Sequence, residues 1–179
     1  NNCYYCPRFS SDYHFGHNLK LEQDPSVDEV WRALKANVTA DRLVTFSGYG
    51  EPFLRLDVLV EVARRIKSSG GIVRVLTNGQ GNLIQGRNIV PDLEDLVDKI
   101  RISLHAGSPD QYMKASAPMS GEGTFESVLE FIREAKKIIP DVEVVIPNRP
   151  TMIDVDMLER MVSDELGVRT ARHDFAVYS

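Results

Sequence analysis

The chain has 179 residues, 42% of them hydrophobic, which suits one domain with an ordinary buried core. With 21 Lys plus Arg against 26 Asp plus Glu, its formal charge of −5 gives no general attraction for a phosphate backbone, so a nucleic-acid partner finds no support. The longest apolar runs, such as LVTF and VEVVIP, are of strand length and far below the about 20 residues of a membrane span, and the chain reads as soluble and cytoplasmic.

Both cysteines fall in the opening NNCYYCP, where Cys3 and Cys6 form a C-x-x-C with Tyr5 just before the second. Two thiolates at this spacing can chelate one metal, cycle as a redox disulfide, or supply part of an iron–sulfur ligand set. A thioredoxin-type dithiol usually opens a helix, whereas Pro7 and a long loop over residues 7–25 follow here. Zinc would need two further ligands, and His14 with His17 fit the usual H-x₃₋₅-H spacing poorly. The chain starts at Asn rather than Met, so its N-terminus reads as cut; a ligand four residues before Cys3 would lie two positions upstream of Asn1.

Ser26 and Glu29 form a capping box that opens a helix through VWRALKAN. A buried strand, Leu43 to Phe46, runs into Ser47-Gly48-Tyr49-Gly50-Glu51-Pro52. Leu59, Val62, Ala63 and Ile66 recur at helical spacing, predicting a helix over residues 56–69 that Gly70-Gly71 stops. The strand Ile72 to Leu76 ends in Thr77-Asn78-Gly79, QGNLIQGRNIVP reads as loop, and DLEDLVD reads as a short helix. The strand Ile100 to Leu104 terminates at His105-Ala106-Gly107 and is followed by a polar stretch. A helix then opens at Thr124 and ends at Pro140. VEVVIP gives the next strand, Asp154 to Leu166 a helix closed by Gly167, and Thr170 to Tyr178 a last strand. Five strands alternating with five helices predict parallel βαβ units, either an open doubly wound sheet or an incomplete barrel, with a sixth strand expected before Cys3.

In either architecture the ligand site lies where the strands end at their carboxyl side. Those ends carry the residues with chemistry: SGYGEP, TNG, SLHAG and IPNR. Gly48 and Gly50 allow close backbone approach to a ligand, Glu51 offers a carboxylate and Pro52 fixes the exit; the same residues also serve as an ordinary turn and helix start. Asn78 and Ser103 are positioned to bond a ribose or an amino-acid group, although Asn-Gly is also a standard turn pair. His105 could contact a ligand or transfer a proton, or be a satisfied polar group; for His173 and for Trp31 the structural role is the simpler one.

Taken together, these motifs resemble the radical SAM (S-adenosylmethionine) superfamily, whose signature is C-x-x-x-C-x-aromatic-C. Cys3, Tyr5 and Cys6 match its last two cysteines and the aromatic, and Gly48 to Pro52 match its G-x-G-E-P variant. More narrowly, GYGEPFLRLDVLVEVARRIK, LTNGQGNLIQGR and ISLHAGSPDQYMKASAP look like the small TatD-associated members, named for a neighbouring metal-dependent nuclease. The resemblance implies a single core domain over residues 1–179, a partial (β/α)₆ TIM-like barrel lacking its first strand. It also implies a [4Fe–4S] cluster on Cys3, Cys6 and a third cysteine upstream, with SAM on the open iron. On the same grounds Tyr5 would lie near the adenine, Gly48, Tyr49, Gly50, Glu51 and Pro52 at the methionyl end, and Ser103 at the ribose, while Asn78-Gly79 resembles the family's T-N-G, and Asn78 and His105 count as further cofactor-binding candidates. An electron donor and an unidentified substrate complete the expected system.

Overall fold

The expected strands are the five strands of one parallel sheet: β1 (Leu43–Phe46), β2 (Ile72–Thr77), β3 (Lys99–Ser103), β4 (Asp141–Pro147) and β5 (Arg169–His173). They lie side by side in chain order, each pairing in parallel with the next. The computed structural model describes residues 1, 3, 20–148 and 153–173, and residues 13–14 and 17–18 as backbone alone. Positions 174–178 of the predicted last strand, and the sixth strand expected before Cys3, fall outside the described residues. The result is an α/β fold with an open five-stranded sheet, laid out as a partial TIM-like barrel.

Among the described residues six α-helices accompany the sheet: α1 (Val27–Leu34), α2 (Leu56–Ser68), α3 (Gly81–Gln85), α4 (Pro109–Ser116), α5 (Thr124–Ile138) and α6 (Val155–Arg160). The last continues as a π-helical turn, Met161–Leu166, until Gly167 closes it in the left-handed region. At α1 the capping box forms as its spacing predicts, with Ser26 N–H donating to Glu29 Oε2 at 2.9 Å, but the helix stops at Leu34. Helix α2 packs on β2 and α5 on β4. One face of the sheet is thereby sealed: Val73, Val75, Ile100, Ile102 and Val144 meet Val62, Ile66, Val128 and Ile132 in a fully buried core. The other face carries charge in register across the strands, Thr45–Arg74–Lys99–Asp141 in one row and Leu76–Arg101–Glu143–Arg169 in the next.

Four segments differ from expectation. QGNLIQGRNIVP is not a loop: it folds as α3 and leads into a 3₁₀ turn, Val90–Leu93, because Ile89, Val90 and Leu93 are buried in the core. The short helix expected over DLEDLVD is confined to that turn, since Pro91 sets its start and Asp95 adopts a left-handed φ of 60°. The polar stretch after His105 contains α4, with Ser108 as N-cap and Tyr112 and Ala115 turned into the core. A two-residue antiparallel rung, Tyr13–His14 with His17–Asn18, also interrupts the predicted long loop.

Candidate functional site at the strand ends

The end of β1 is tied to the end of β2 by a side chain that bonds the adjoining turn. After β1 the chain turns through Gly48, at a φ of 140° that favours glycine; a Cβ there would meet no atom within 4 Å, so this backbone is open to a ligand. Glu51 then caps a 3₁₀ turn, Pro52–Arg55, accepting from Phe53 N–H at 3.3 Å. Phe53 is fully buried and packs edge-on to Phe131 of α5 with ring centroids 5.7 Å apart, so an aromatic anchor sets the height of the turn.

The Glu51 carboxylate is buried and points at the end of β2. It accepts from Thr77 Oγ1 at 2.7 Å through one oxygen and from Asn78 N–H at 2.8 Å through the other. Burial pushes its carboxyl upward from the usual range, opposed by the three donors. Glu51 therefore acts first as a clamp between two turns, a role beyond the helix-start one the sequence suggested. Thr77 Oγ1 in turn accepts from Gly79 N–H at 3.0 Å, and Asn78 Oδ1 accepts from Gln80 N–H at 2.9 Å.

Gly79 has a φ of 78°, and a Cβ on it would come within 2.9 Å of both Ile102 Cγ2 and Val128 Cγ1. Gly79→Ala combines strain with overpacking and is expected to cost roughly 2–4 kcal/mol. Urea unfolding checks this; a loss below about 1 kcal/mol would show that the turn yields easily.

Gln80, absent from the sequence reading, joins the chain's start to the sheet. Its buried amide donates from Nε2 to Asn1 Oδ1 at 2.7 Å and to Tyr112 Oη at 2.9 Å. Tyr112, also absent from that reading, is 1% exposed; burial pushes its phenol upward, and the nearby Cys3 thiolate adds to the shift. Half-buried Cys3 is therefore held near the carboxyl ends of the strands. Tyr5 and Cys6 lie outside the described residues, as do the side chains of His14 and His17. Among the described residues, no three of His, Cys, Asp and Glu are grouped as a metal set. The available signal for Tyr112 was Ser108-Pro109, an N-cap followed by a helix-start proline, with Tyr112 and Ala115 at helical spacing behind it.

Ser103 ends β3 half-buried, and Leu104 N–H continues the ladder by donating to Val145 O at 3.0 Å. His105 is buried, and its pKa falls from 6.5 to about 4 through burial first and the charge of His173 second. Folding thus favours the neutral ring. Its stabilising contribution is complete above pH 6.5 and is lost as pH falls toward 4, by roughly 3 kcal/mol. Glu51, whose carboxyl is raised, works in the opposite sense over acid pH. Comparing urea midpoints at pH 7 and 5 in the parent and His105→Phe is expected to show a smaller acid loss in the variant. Equal losses would remove His105 as the cause. Of the IPNR end, Asn148 N–H donates to His173 O at 2.9 Å, while Arg149 lies outside the described residues.

At or near these strand ends lie Cys3, Gly48 to Pro52, Asn78, Ser103 and His105, the soft donor and the turns the sequence singled out. The family model of the radical SAM superfamily matches residues 1–162. This chain belongs to that superfamily.

Radical SAM proteins use a [4Fe–4S] cluster and SAM, and the Cys3 thiol near Tyr112 and the open backbone at Gly48 fit these two groups in kind. Among relatives of this radical SAM chain, the uncharacterized protein MJ0804 of Methanocaldococcus jannaschii is 32% identical over 111 residues, 62% of this chain and 36% of that protein. The chain therefore spans about a third of the length of the curated relative it matches. Archaeal TYW1 superposes with a TM-score of 0.52 at 18% identity, over 76% of this chain and 44% of the other. TYW1 with a lysine-pyruvate adduct bound superposes with a TM-score of 0.61 at 15% identity, over 99% of this chain and 62% of the other. At those identities the likeness is one of radical SAM fold. No helix among the described residues is long and apolar enough to cross a membrane.

Proposed function

We propose that residues 1–179 form a single radical SAM core domain, part of a cytoplasmic enzyme that cleaves SAM reductively and takes hydrogen from a separate substrate. The observation that carries this reading is the bridge from Asn1 through Gln80 to Tyr112, which ties the cysteine-bearing segment to the strand ends where the other motif residues emerge. Cys3 and Cys6 would hold the cluster together with a third cysteine four residues before Cys3. A bound cluster supplies one-electron cleavage of SAM to methionine and a 5′-deoxyadenosyl radical.

The chain's own residues bind and orient. Backbone carbonyls of Gly48, Tyr49 and Gly50 accept from the SAM ammonium, while Glu51 and Pro52 keep that turn in place. Asn78 and Ser103 would bond the ribose, Tyr5 would serve the adenine end, and His105 would supply a neutral, uncharged wall at physiological pH. A reducing protein or small reductant delivers the electron. The runs GYGEPFLRLDVLVEVARRIK and ISLHAGSPDQYMKASAP favour the TatD-associated subgroup, in which the neighbouring nuclease suggests a shared process rather than a substrate. The deciding experiment is anaerobic reconstitution of the upstream-extended protein followed by electron paramagnetic resonance of the reduced sample. A cluster signal that changes on adding SAM supports the assignment, and absence of any cluster moves the weight to a zinc or dithiol role for the cysteines.

A further inference from the structure

The face of the sheet opposite the helices has an unequal charge balance in a chain whose overall charge is negative. Four cations, Arg74, Lys99, Arg101 and Arg169, share it with two anions, Asp141 and Glu143. Three of the cations are spent on those anions. Lys99 Nζ meets Asp141 Oδ2 at 3.1 Å, Arg101 Nε meets Glu143 Oε2 at 2.6 Å, and Arg169 bridges Asp141 and Glu143. Arg74 is the exception: among the described residues it has no carboxylate partner, and its Nε donates to Thr45 Oγ1 at 3.1 Å. That single bond fixes the guanidinium plane and leaves both Nη groups, the bidentate fork that suits an oxyanion, without a described partner. Arg74 is half-buried, and its register neighbour Lys99, already paired with Asp141, brings it no counter-charge.

We propose that Arg74, steadied by Thr45, receives an oxyanion, phosphate or carboxylate, on the substrate. The inference rests on the reading that SAM lies at the strand ends. Arg74 lies on β2 four residues before Asn78, which follows the strand's last residue Thr77, so it stands about 13 Å below that level at the usual strand rise. A substrate held there by its anionic group can extend a carbon toward the strand ends. This sets both its charge and its reach.

The test uses the upstream-extended protein without iron, so its outcome is independent of whether a cluster assembles. Inorganic phosphate and acetate are titrated separately while the arginine Nε–Hε resonances are followed by NMR. Arg74 is expected to shift saturably, with exposed Arg64 and Arg133 moving little, and Arg74→Met to weaken phosphate binding at least fivefold. Arg74→Lys is expected to restore part of it, which separates lost charge from lost packing. A response tenfold stronger to phosphate assigns a phosphoryl group, and equal responses assign a general oxyanion site. Arg74 tracking the exposed arginines, or unchanged binding in Arg74→Met, would overturn the proposal.

Discussion

Cys3→Ala, made in the protein extended through the upstream cysteine, is expected to lower reconstituted iron from about four atoms per chain to below about one. SAM cleavage should fall with it by at least about a hundredfold, since the cluster that would pass the electron to SAM is lost. The fold should be nearly untouched: Cys3 is half-buried and contributes nothing to the sealed core, so the urea midpoint is expected to stay near the parent's. Iron content and the midpoint measured on the same preparation check both halves. Retained iron would refute the ligand assignment, and a large fall in midpoint would mean that Cys3 serves the fold.

Glu51→Ala should have the converse signature. Removing the carboxylate leaves Thr77 Oγ1–H, Asn78 N–H and Phe53 N–H facing a buried space without their acceptor. At about 1–3 kcal/mol for each unsatisfied donor, and with water repairing some, the expected loss is roughly 3–5 kcal/mol. Glu51→Gln keeps one acceptor oxygen but presents an amide N–H₂ where a donor already stands, so about half that loss is expected. Because the clamp holds the Gly48–Gly50 turn, SAM affinity of the reconstituted protein should weaken in parallel with stability across the two variants. A Glu51→Ala protein within about 0.5 kcal/mol of the parent would show that the clamp is dispensable and that the carboxylate serves the ligand alone.

How much of this was legible before the structure depends on which force places each residue. The five strands were legible because burial on a parallel sheet concentrates Val, Ile and Leu into short runs, as in Ile72 to Leu76. Helix α1 was announced by a local bond pair, Ser26 with Glu29, which the sequence displays directly. Helix α3 was not, since GNLIQ has little periodicity and is folded by the burial of Ile89 and Val90 beyond it. The same divide runs through the site. Gly48, Glu51, Asn78 and Ser103 stand at strand ends and are found by counting along the chain. Gln80 and Tyr112 are 32 positions apart, meet only in three dimensions, and carry no motif. Arg74 alternates with Val73 and Val75 as any open-face residue would, and its distinction lies in which neighbours on β3 and β4 are already neutralised.

The sheet's strand order carries a consequence for growth. Since β1 to β5 lie in the order of their synthesis, each new strand needs only the edge left by the one before it, and no segment must thread back between two already paired. A sheet made by such accretion can be lengthened at either margin without disturbing what is already laid down. The same fold can therefore be shared with a longer chain, as with the solved TYW1 chain of which this one covers 62%.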